Sequence, residues 1–146
     1  MFGSIKVKHR RLAILLPVLV ILTALLLLLL RSGAPDTIDI NGERVSLRVK
    51  DDEELKAFCE ECSYETYEPV SDREITVPLH WNETYQEYNE LQKVQGFDLV
   101  PYKGKSAREL VYAVPDDEYL TLLISDKRII AAHLSASDGS NMRVLL

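Results

Sequence analysis

The feature that most constrains this chain is an uncharged apolar run of nineteen residues, from Leu12 to Leu30. Arg10 and Arg11 precede this run, and Arg31 follows it. At a helical rise of about 1.5 Å per residue, the run is roughly 28 Å long, close to the ~30 Å hydrocarbon core of a bilayer. The sequence therefore predicts a transmembrane helix over residues 12–30.

Charged residues are distributed unequally on the two sides of this run. Residues 1–11 carry four basic residues and no acidic one, whereas all 23 Asp and Glu residues lie beyond Arg31. The basic flank of a membrane helix normally stays in the cytoplasm. We therefore expect a single-pass protein of the cell membrane, with residues 1–11 as a cytoplasmic tail and the C-terminal part outside.

A cleavable signal peptide is the alternative interpretation of this N-terminal pattern. The apolar run is longer than the ~7–15 residues typical of signal peptides. Its only small-residue site, at residues 32–34, is followed by Pro35, which is expected to block cleavage. We therefore expect an uncleaved signal anchor, joined by a short tether at residues 31–36 to the exported part.

Residues 37–146 have a suitable length for one extracytoplasmic domain with a single core. Beyond Arg31 the chain has 12 basic and 23 acidic residues, a formal charge of −11. This balance argues against nucleic acid and against anionic lipid as partners of the domain.

Hydrophobic patterning predicts an α+β domain with an antiparallel sheet and two helices. Asn41 and Gly42 favour a hairpin turn between the first two strands. The other connections are also short, which favours antiparallel neighbours. The predicted strands are residues 37–40, 44–50, 75–79, 107–114, 119–124 and 128–134, with a short last strand at 142–146.

Both predicted helices carry recognisable end signals. The first begins after Asp51, which has capping-box spacing with Glu54. The second extends from Glu83 to about Gln95, with Asn82 as its N-cap and Gly96 just past its end. The expected apolar faces are Leu55, Phe58, Cys59 and Cys62 in the first helix, and Tyr85, Tyr88, Leu91 and Val94 in the second.

A family resemblance begins to show at the second helix. Residues 88–99, YNELQKVQGFDL, followed by YKGK at 102–105, resemble the signature of the bacterial domain of unknown function numbered 4830. The resemblance extends from about Glu54 to about Leu134. It implies a bacterial cell-surface setting on a small membrane-anchored protein, and it brings no known activity.

The chain departs from the family pattern at two places. Cys59, Cys62 and Ser63 stand where the family tends to have apolar residues and a glycine, and Ala131, Ala132 and His133 stand where it tends to have paired glycines and an acid. The cysteines fall late in a helix and enclose two glutamates, both of which disfavour a thiolate. We therefore interpret them as core residues, with a disulfide or a metal site as alternatives.

No catalytic constellation, cofactor motif or metal-ligand spacing is recognisable in the sequence. His9, His80 and His133 are too far apart to suggest a ligand motif. All seven tyrosines and the single tryptophan lie between residues 64 and 119, where they suit either a core or a surface that stacks on a ligand. We expect neither cofactor nor metal, and we assign no catalytic residue.

The function that these patterns favour is a non-catalytic binding or interaction module at the cell envelope. Its membrane contact would be the single helix, and its partner an unidentified protein or envelope component. We predict a possible interaction surface at Lys93, Tyr102, Lys103 and Lys105. The alternatives are an exported enzyme with a site assembled from separated residues, and a structural or signalling subunit that acts through its membrane helix.

Overall fold

The computed structural model describes residues 19–24, 36–40, 42–64 and 68–145. Residues 19–24 are helical, and the Thr23 hydroxyl donates hydrogen bonds to the carbonyl oxygens of Leu19 and Val20 at 3.0 and 2.9 Å. Within the described residues, no helix is long and apolar enough to cross a membrane. The rest of the predicted membrane helix at 12–30, the tail at 1–11 and the tether at 31–35 lie outside the described residues.

The described residues from Asp36 onward form one compact α+β unit. The strands are β1 (Thr37–Ile40), β2 (Glu43–Ser46), β3 (Glu68–Thr76), β4 (Ser106–Val114), β5 (Glu118–Ser125) and β6 (Arg128–Ala136), and the helices are α1 (Asp52–Glu61) and α2 (Glu83–Val94). β1 and β2 form a two-stranded sheet, and the other four strands form a second sheet in the order β3-β4-β5-β6. All pairings are antiparallel. The predicted α+β class and antiparallel pairing are confirmed, although there are two sheets where we expected one.

α1 packs into the larger of two buried clusters, together with the hairpin and one face of the four-stranded sheet. Its N-cap is Asp51, whose Oδ1 accepts a hydrogen bond from the Glu54 amide at 2.9 Å. Glu54 in turn accepts from the Lys50 amide at 2.7 Å. The Asp51 cap confirms the predicted helix start, although Glu54 bonds the amide of the residue before the cap and not that of Asp51 itself. Leu55, Phe58, Cys59 and Cys62 are all buried in the cluster, as predicted.

β3 differs from the strand that we predicted at residues 75–79. It begins seven residues earlier and ends at Thr76. Most of its residues are exposed, so it lacks the apolar alternation by which a strand is recognised. It is an edge strand, held to β4 by backbone pairing and by the ion pairs Asp72–Arg108 and Arg73–Glu109. Charged residues of this kind also protect a sheet edge from pairing with other chains.

Two other predicted strands are shorter in the structure. β2 ends at Ser46 rather than at Lys50, because the chain then turns to the edge of β6 and bridges Arg48 to Arg128. The predicted strand at 142–146 is only a single bridge, between Leu134 and Arg143, and Leu146 lies outside the described residues.

Three of the four residues of the predicted apolar stripe are half-buried on the sheet side of α2, but the fourth is exposed and the fully buried residues of the helix are polar. Val94 is 77 % exposed, whereas Asn89 and Gln92 are buried. The Asn89 side chain accepts a hydrogen bond from the Leu99 amide at 2.7 Å and donates one to Asp98 at 3.2 Å. Hydropathy missed Asn89 and Gln92 because these polar groups are buried together with their hydrogen-bond partners.

Two glutamines join α2 to the outer edge of β6. Gln92 Oε1 accepts a hydrogen bond from the Ala132 amide at 3.0 Å, and Gln95 Nε2 donates one to the Ala132 carbonyl at 2.6 Å. Gln95 Oε1 also accepts from the Leu145 amide at 3.0 Å. These side chains take the place of a neighbouring strand at Ala132.

α2 ends as the sequence predicted. Asn82 caps its start by accepting a hydrogen bond from the Tyr85 amide at 3.0 Å. At its other end, Gly96 has a φ of +92°, and the Phe97 amide donates back to the Gln92 carbonyl at 3.1 Å. Phe97 and Leu99 then fold into the two buried clusters.

We expect Gly96→Val to lower the free energy of unfolding by about 1–2 kcal/mol or more, because a β-branched residue is strained at positive φ. Its Cβ would also lie 3.4 Å from Ile38 Cγ2. Thermal unfolding of the full chain, followed by the fluorescence of Trp81, measures the effect. Val94→Ala, two residues away on the exposed helix surface, should leave the transition within error. A Gly96→Val protein as stable as the parent would contradict this account.

Candidate functional site

A cleft of about 560 Å³ separates α2 from one face of the four-stranded sheet. Its floor comes from neighbouring strands and its wall from one side of α2. The lining residues are Ile75, Thr84, Tyr85, Glu87, Tyr88, Leu91, Glu109, Thr121, Leu123, His133 and Met142. Apolar side chains predominate, with a few polar groups among them, which is the usual composition of a small-ligand site.

Strand alternation places the floor residues side by side. Glu109 of β4 is opposite Leu123 of β5, and Thr121 of β5 is opposite His133 of β6. Alternate residues of a strand share a face, so Thr121 and Leu123 lie on the same side of the sheet. The wall is formed by Thr84, Tyr88 and Leu91, which helical spacing places on one side of α2.

His133 and Tyr88 form the polar centre of the cleft. The Tyr88 hydroxyl lies 3.0 Å from His133 Nδ1, and the two rings meet edge to face with centroids 5.4 Å apart. Burial lowers the pKa of His133 to about 4, although the charge of Glu109 acts in the opposite direction. Burial also raises the pKa of Tyr88. At neutral pH both side chains are therefore uncharged hydrogen-bonding groups.

Aromatic side chains continue from this pair towards the start of α2. Tyr85 contacts Tyr88 edge to face at 6.3 Å and stacks on Trp81 at 6.2 Å. Burial, followed by the charge of Glu109, raises the pKa of Tyr85. The Glu109 carboxylate is paired with the Arg73 guanidinium on the neighbouring strand. The cleft therefore offers aromatic faces, a neutral imidazole and a carboxylate that already has a cationic partner.

This arrangement suits binding better than proton transfer. An efficient general base has a pKa near the working pH. His133, with a pKa of about 4, would be protonated only in strong acid. Its neutral ring and the tyrosine hydroxyl can instead orient a ligand by hydrogen bonds while the aromatic faces bury its apolar part.

The cleft was not predicted from the sequence. Its floor residues Glu109, Thr121 and His133 are far apart in the chain, and His133 belongs to no recognisable ligand motif. One signal was available, because Thr121 and His133 are polar residues inside otherwise apolar runs of β5 and β6. Such residues need a buried partner or a cavity, but their sequence positions do not show which side chains meet.

The four residues of the predicted interaction surface have different environments. Lys93 and Lys105 are exposed, and Lys93 pairs with Glu90 at 2.8 Å. Lys103 is half-buried, with its Nζ 4.0 Å from the centroid of the Trp81 ring. Tyr102 is only 7 % exposed and belongs to the smaller buried cluster, so it offers little surface to a partner. It packs there because the turn after α2 directs residues 99–102 back against the sheet.

Cys59 and Cys62 are free thiols in the core of the domain. Burial, reinforced by the charge of Glu60, raises the pKa of Cys59 to about 11. Burial, the neighbouring Cys59 and Glu61 raise that of Cys62 to about 12. Both therefore remain protonated at neutral pH, in line with their interpretation as core residues. Within the described part of the chain, no group of three or more His, Cys, Asp or Glu side chains could hold a metal ion.

We expect the folded state to lose up to about 3 kcal/mol of stability through His133 as the pH falls from 6.5 to 4. In this range the unfolded chain protonates His133, whereas the folded chain, with its pKa of about 4, does not. Acid therefore favours unfolding. Denaturant titrations at several pH values should show a weaker pH dependence for His133→Gln than for the parent.

The matched control for this measurement is His80→Gln, because His80 is an exposed histidine outside the cleft. It should keep the pH dependence of the parent. If His133→Gln also keeps the full dependence, His133 is not held neutral by burial in the folded state.

Comparison with known proteins gives a family and no activity. The family model DUF4830, described as a domain of unknown function, matches residues 64–134. The match starts about ten residues later than the resemblance we expected, so it leaves out α1 and includes β3, α2 and the cleft. Neither the curated proteins nor the solved structures contain a match. The segment from Tyr64 to Leu134 therefore belongs to the DUF4830 family.

Proposed function

We propose that this chain is a bacterial single-pass membrane protein whose extracytoplasmic domain binds a component of the cell envelope. In this proposal residues 12–30 anchor the chain, residues 1–11 stay in the cytoplasm, and the cleft beneath α2 is the binding site. The partner is an envelope molecule, or part of a protein, with an apolar body and at least one polar group.

The anchor is supported by the uncharged run and its basic flank. The only described part of the run, residues 19–24, is helical. Thr23 supplies the one hydroxyl of this part, and its hydrogen bonds to carbonyl oxygens of the same helix lower the cost of placing it in lipid.

The observation that carries the binding role is the cleft itself. A sheet face that packs fully against a helix leaves little space, whereas here about 560 Å³ remains open beside Tyr88 and His133. The two side chains are held in place by their mutual hydrogen bond. A ligand would thus meet a preformed polar centre among apolar walls, at a small cost in ordering.

An exported enzyme remains the second candidate, because His133 and Glu109 line the same cleft and the charge of Glu109 acts on His133. A histidine beside a carboxylate is a common catalytic pair. Here, however, burial lowers the pKa of His133 to about 4, and Arg73 is paired with Glu109. Both features reduce the capacity for acid–base work near neutral pH, so binding is the better-supported function.

The membrane arrangement predicts a specific protection pattern. Protease added to intact protoplasts should digest the C-terminal domain and spare a tag fused to Met1. The physical reason is the positive-inside bias of residues 1–11. A protected C-terminal domain would reverse the orientation, and a mature chain that begins near Ala34 would show a cleaved signal peptide instead of an anchor.

The binding site predicts where a photocrosslinker will find a partner. We expect p-benzoylphenylalanine in place of Thr84, at the edge of the cleft, to form a discrete adduct in intact cells. His133→Gln in the same chain should weaken the adduct several-fold, because the polar centre of the cleft is lost. The matched control is the same probe at Val94, which is exposed on α2 but does not line the cleft. Equal adducts at both positions, unaffected by His133→Gln, would reject the cleft as the binding site.

A further inference from the structure

A small amphipathic surface lies beside the start of α2, on the segments that follow β3 and α2. We name it the Trp81 surface; its members are Leu79, Trp81, Val100, Lys103 and Lys105. Leu79 is 61 % exposed and Val100 is 48 % exposed, both high values for aliphatic side chains. Lys103 and Lys105 lie over aromatic rings, at 4.0 Å from Trp81 and 5.3 Å from Tyr102.

This surface is held rigidly at one end of the four-stranded sheet. The Gly104 amide donates to the Val77 carbonyl at 2.8 Å, and the Val77 amide donates to the Lys105 carbonyl at 3.0 Å. The Trp81 indole donates to the Pro78 carbonyl at 2.9 Å. The apolar side chains and the lysines therefore keep a fixed arrangement on the outside of the domain.

The chain enters the domain at the same end of the sheet. Asp36, the first described residue of the domain, forms an ion pair with Arg128 at the start of β6. Arg128 is opposite Ser125, the last residue of β5. The Ser125 hydroxyl donates to the carbonyl of Ser106, the first residue of β4, which follows Lys105. The start of β6, the end of β5 and the start of β4 are thus at the same end of the sheet. A sheet of four strands is about 15 Å wide. Asp36 lies beside β6 and the Trp81 surface beside β3, so they are on opposite sides of the same end of the sheet.

The proposed anchor ends at Leu30, and the six residues of the tether can extend about 20 Å at most. Asp36 must then stay within that distance of the membrane surface. The Trp81 surface is at the same end of the sheet as Asp36, so this membrane is the partner to consider for it.

We propose that the Trp81 surface docks on the anionic headgroups of the membrane that anchors the chain. This inference rests on the proposed membrane anchor. Tryptophan prefers the boundary between headgroups and acyl chains, where Leu79 and Val100 can insert their exposed side chains. Lys103 and Lys105 hold their ammonium groups over the aromatic rings, where these charges attract lipid phosphates, and each basic residue near an anionic surface adds to the attraction.

The acidic balance of the whole domain does not oppose this contact, contrary to the expectation from composition. Charged interactions act over about one Debye length, roughly 8–10 Å. The residues at the contact therefore determine whether the electrostatic interaction with the headgroups is attractive or repulsive. Glu90, which borders this surface, is paired with Lys93 at 2.8 Å. Two further carboxylates are close to the surface: Asp98, whose Oδ1 accepts from the Val100 amide at 3.0 Å, and Asp126 of the β5–β6 turn, which acts on Tyr102.

Trp81 is the only tryptophan of the chain and therefore reports on this contact directly. The full chain is reconstituted in vesicles of phosphatidylcholine with phosphatidylglycerol, with bromine atoms on the acyl chains as quenchers. We expect strong quenching of Trp81 fluorescence, and loss of most of it in Lys103→Glu/Lys105→Glu. The matched control is Arg44→Glu/Lys56→Glu, which reverses the same charge at exposed positions outside the Trp81 surface and should keep the quenching.

Flotation and protease accessibility of the same vesicles separate failure of the inference from failure of the anchor. An inserted chain with an accessible domain but an unquenched Trp81 overturns the docking inference and leaves the proposed anchor intact. A chain that does not float with the vesicles removes the anchor and the docking with it. Equal quenching in pure phosphatidylcholine, or in the charge-reversed variant, overturns the assignment to anionic lipid.

Discussion

The structure of the domain depends on the way in which α2 is bonded to the outer edge of β6. Gln92 and Gln95 pair with the amide and carbonyl of Ala132, as a further strand would. Leu47 accepts from the Ile129 amide nearer the start of β6, and Arg143 bridges Leu134 nearer its end. The backbone groups of this edge are thus satisfied by three different segments, which prevents the edge from pairing with another chain.

Bonding of α2 to an edge, rather than packing along its whole length, also explains the cleft. The C-terminal half of the helix is held by the buried side-chain amides of Asn89 and Gln92. The N-terminal half lies farther from the sheet, and Tyr85 and Tyr88 line the space between them. One buried amide nitrogen, Gln92 Nε2, has no hydrogen-bond partner among the described residues. An unsatisfied buried donor costs roughly 1–3 kcal/mol, so the other bonds of the two glutamines must offset it.

In the proposed function, two surfaces of the domain serve different purposes. The Trp81 surface and Asp36 lie at one end of the sheet, and we place this end at the membrane. The cleft lies on the sheet face beneath α2, and Tyr85 contacts both Trp81 and Tyr88. The two surfaces are therefore joined by three aromatic rings in contact, those of Trp81, Tyr85 and Tyr88.

Local chemistry was sufficient to predict much of the fold from the sequence. The caps at Asp51 and Asn82, the positive φ of Gly96 and the strands β4, β5 and β6 follow from hydrogen bonds and apolar patterns between near neighbours in the chain. β3 and the buried polar residues of α2 could not be found in this way, because an exposed edge strand and buried amides lack a hydropathy signal. The cleft depends on Tyr88 meeting His133, 45 residues apart, and on Glu109 lying under the same helix. Only the tertiary structure decides such contacts, because they arise from strand register and from where α2 is bonded, and neither is encoded in any short segment.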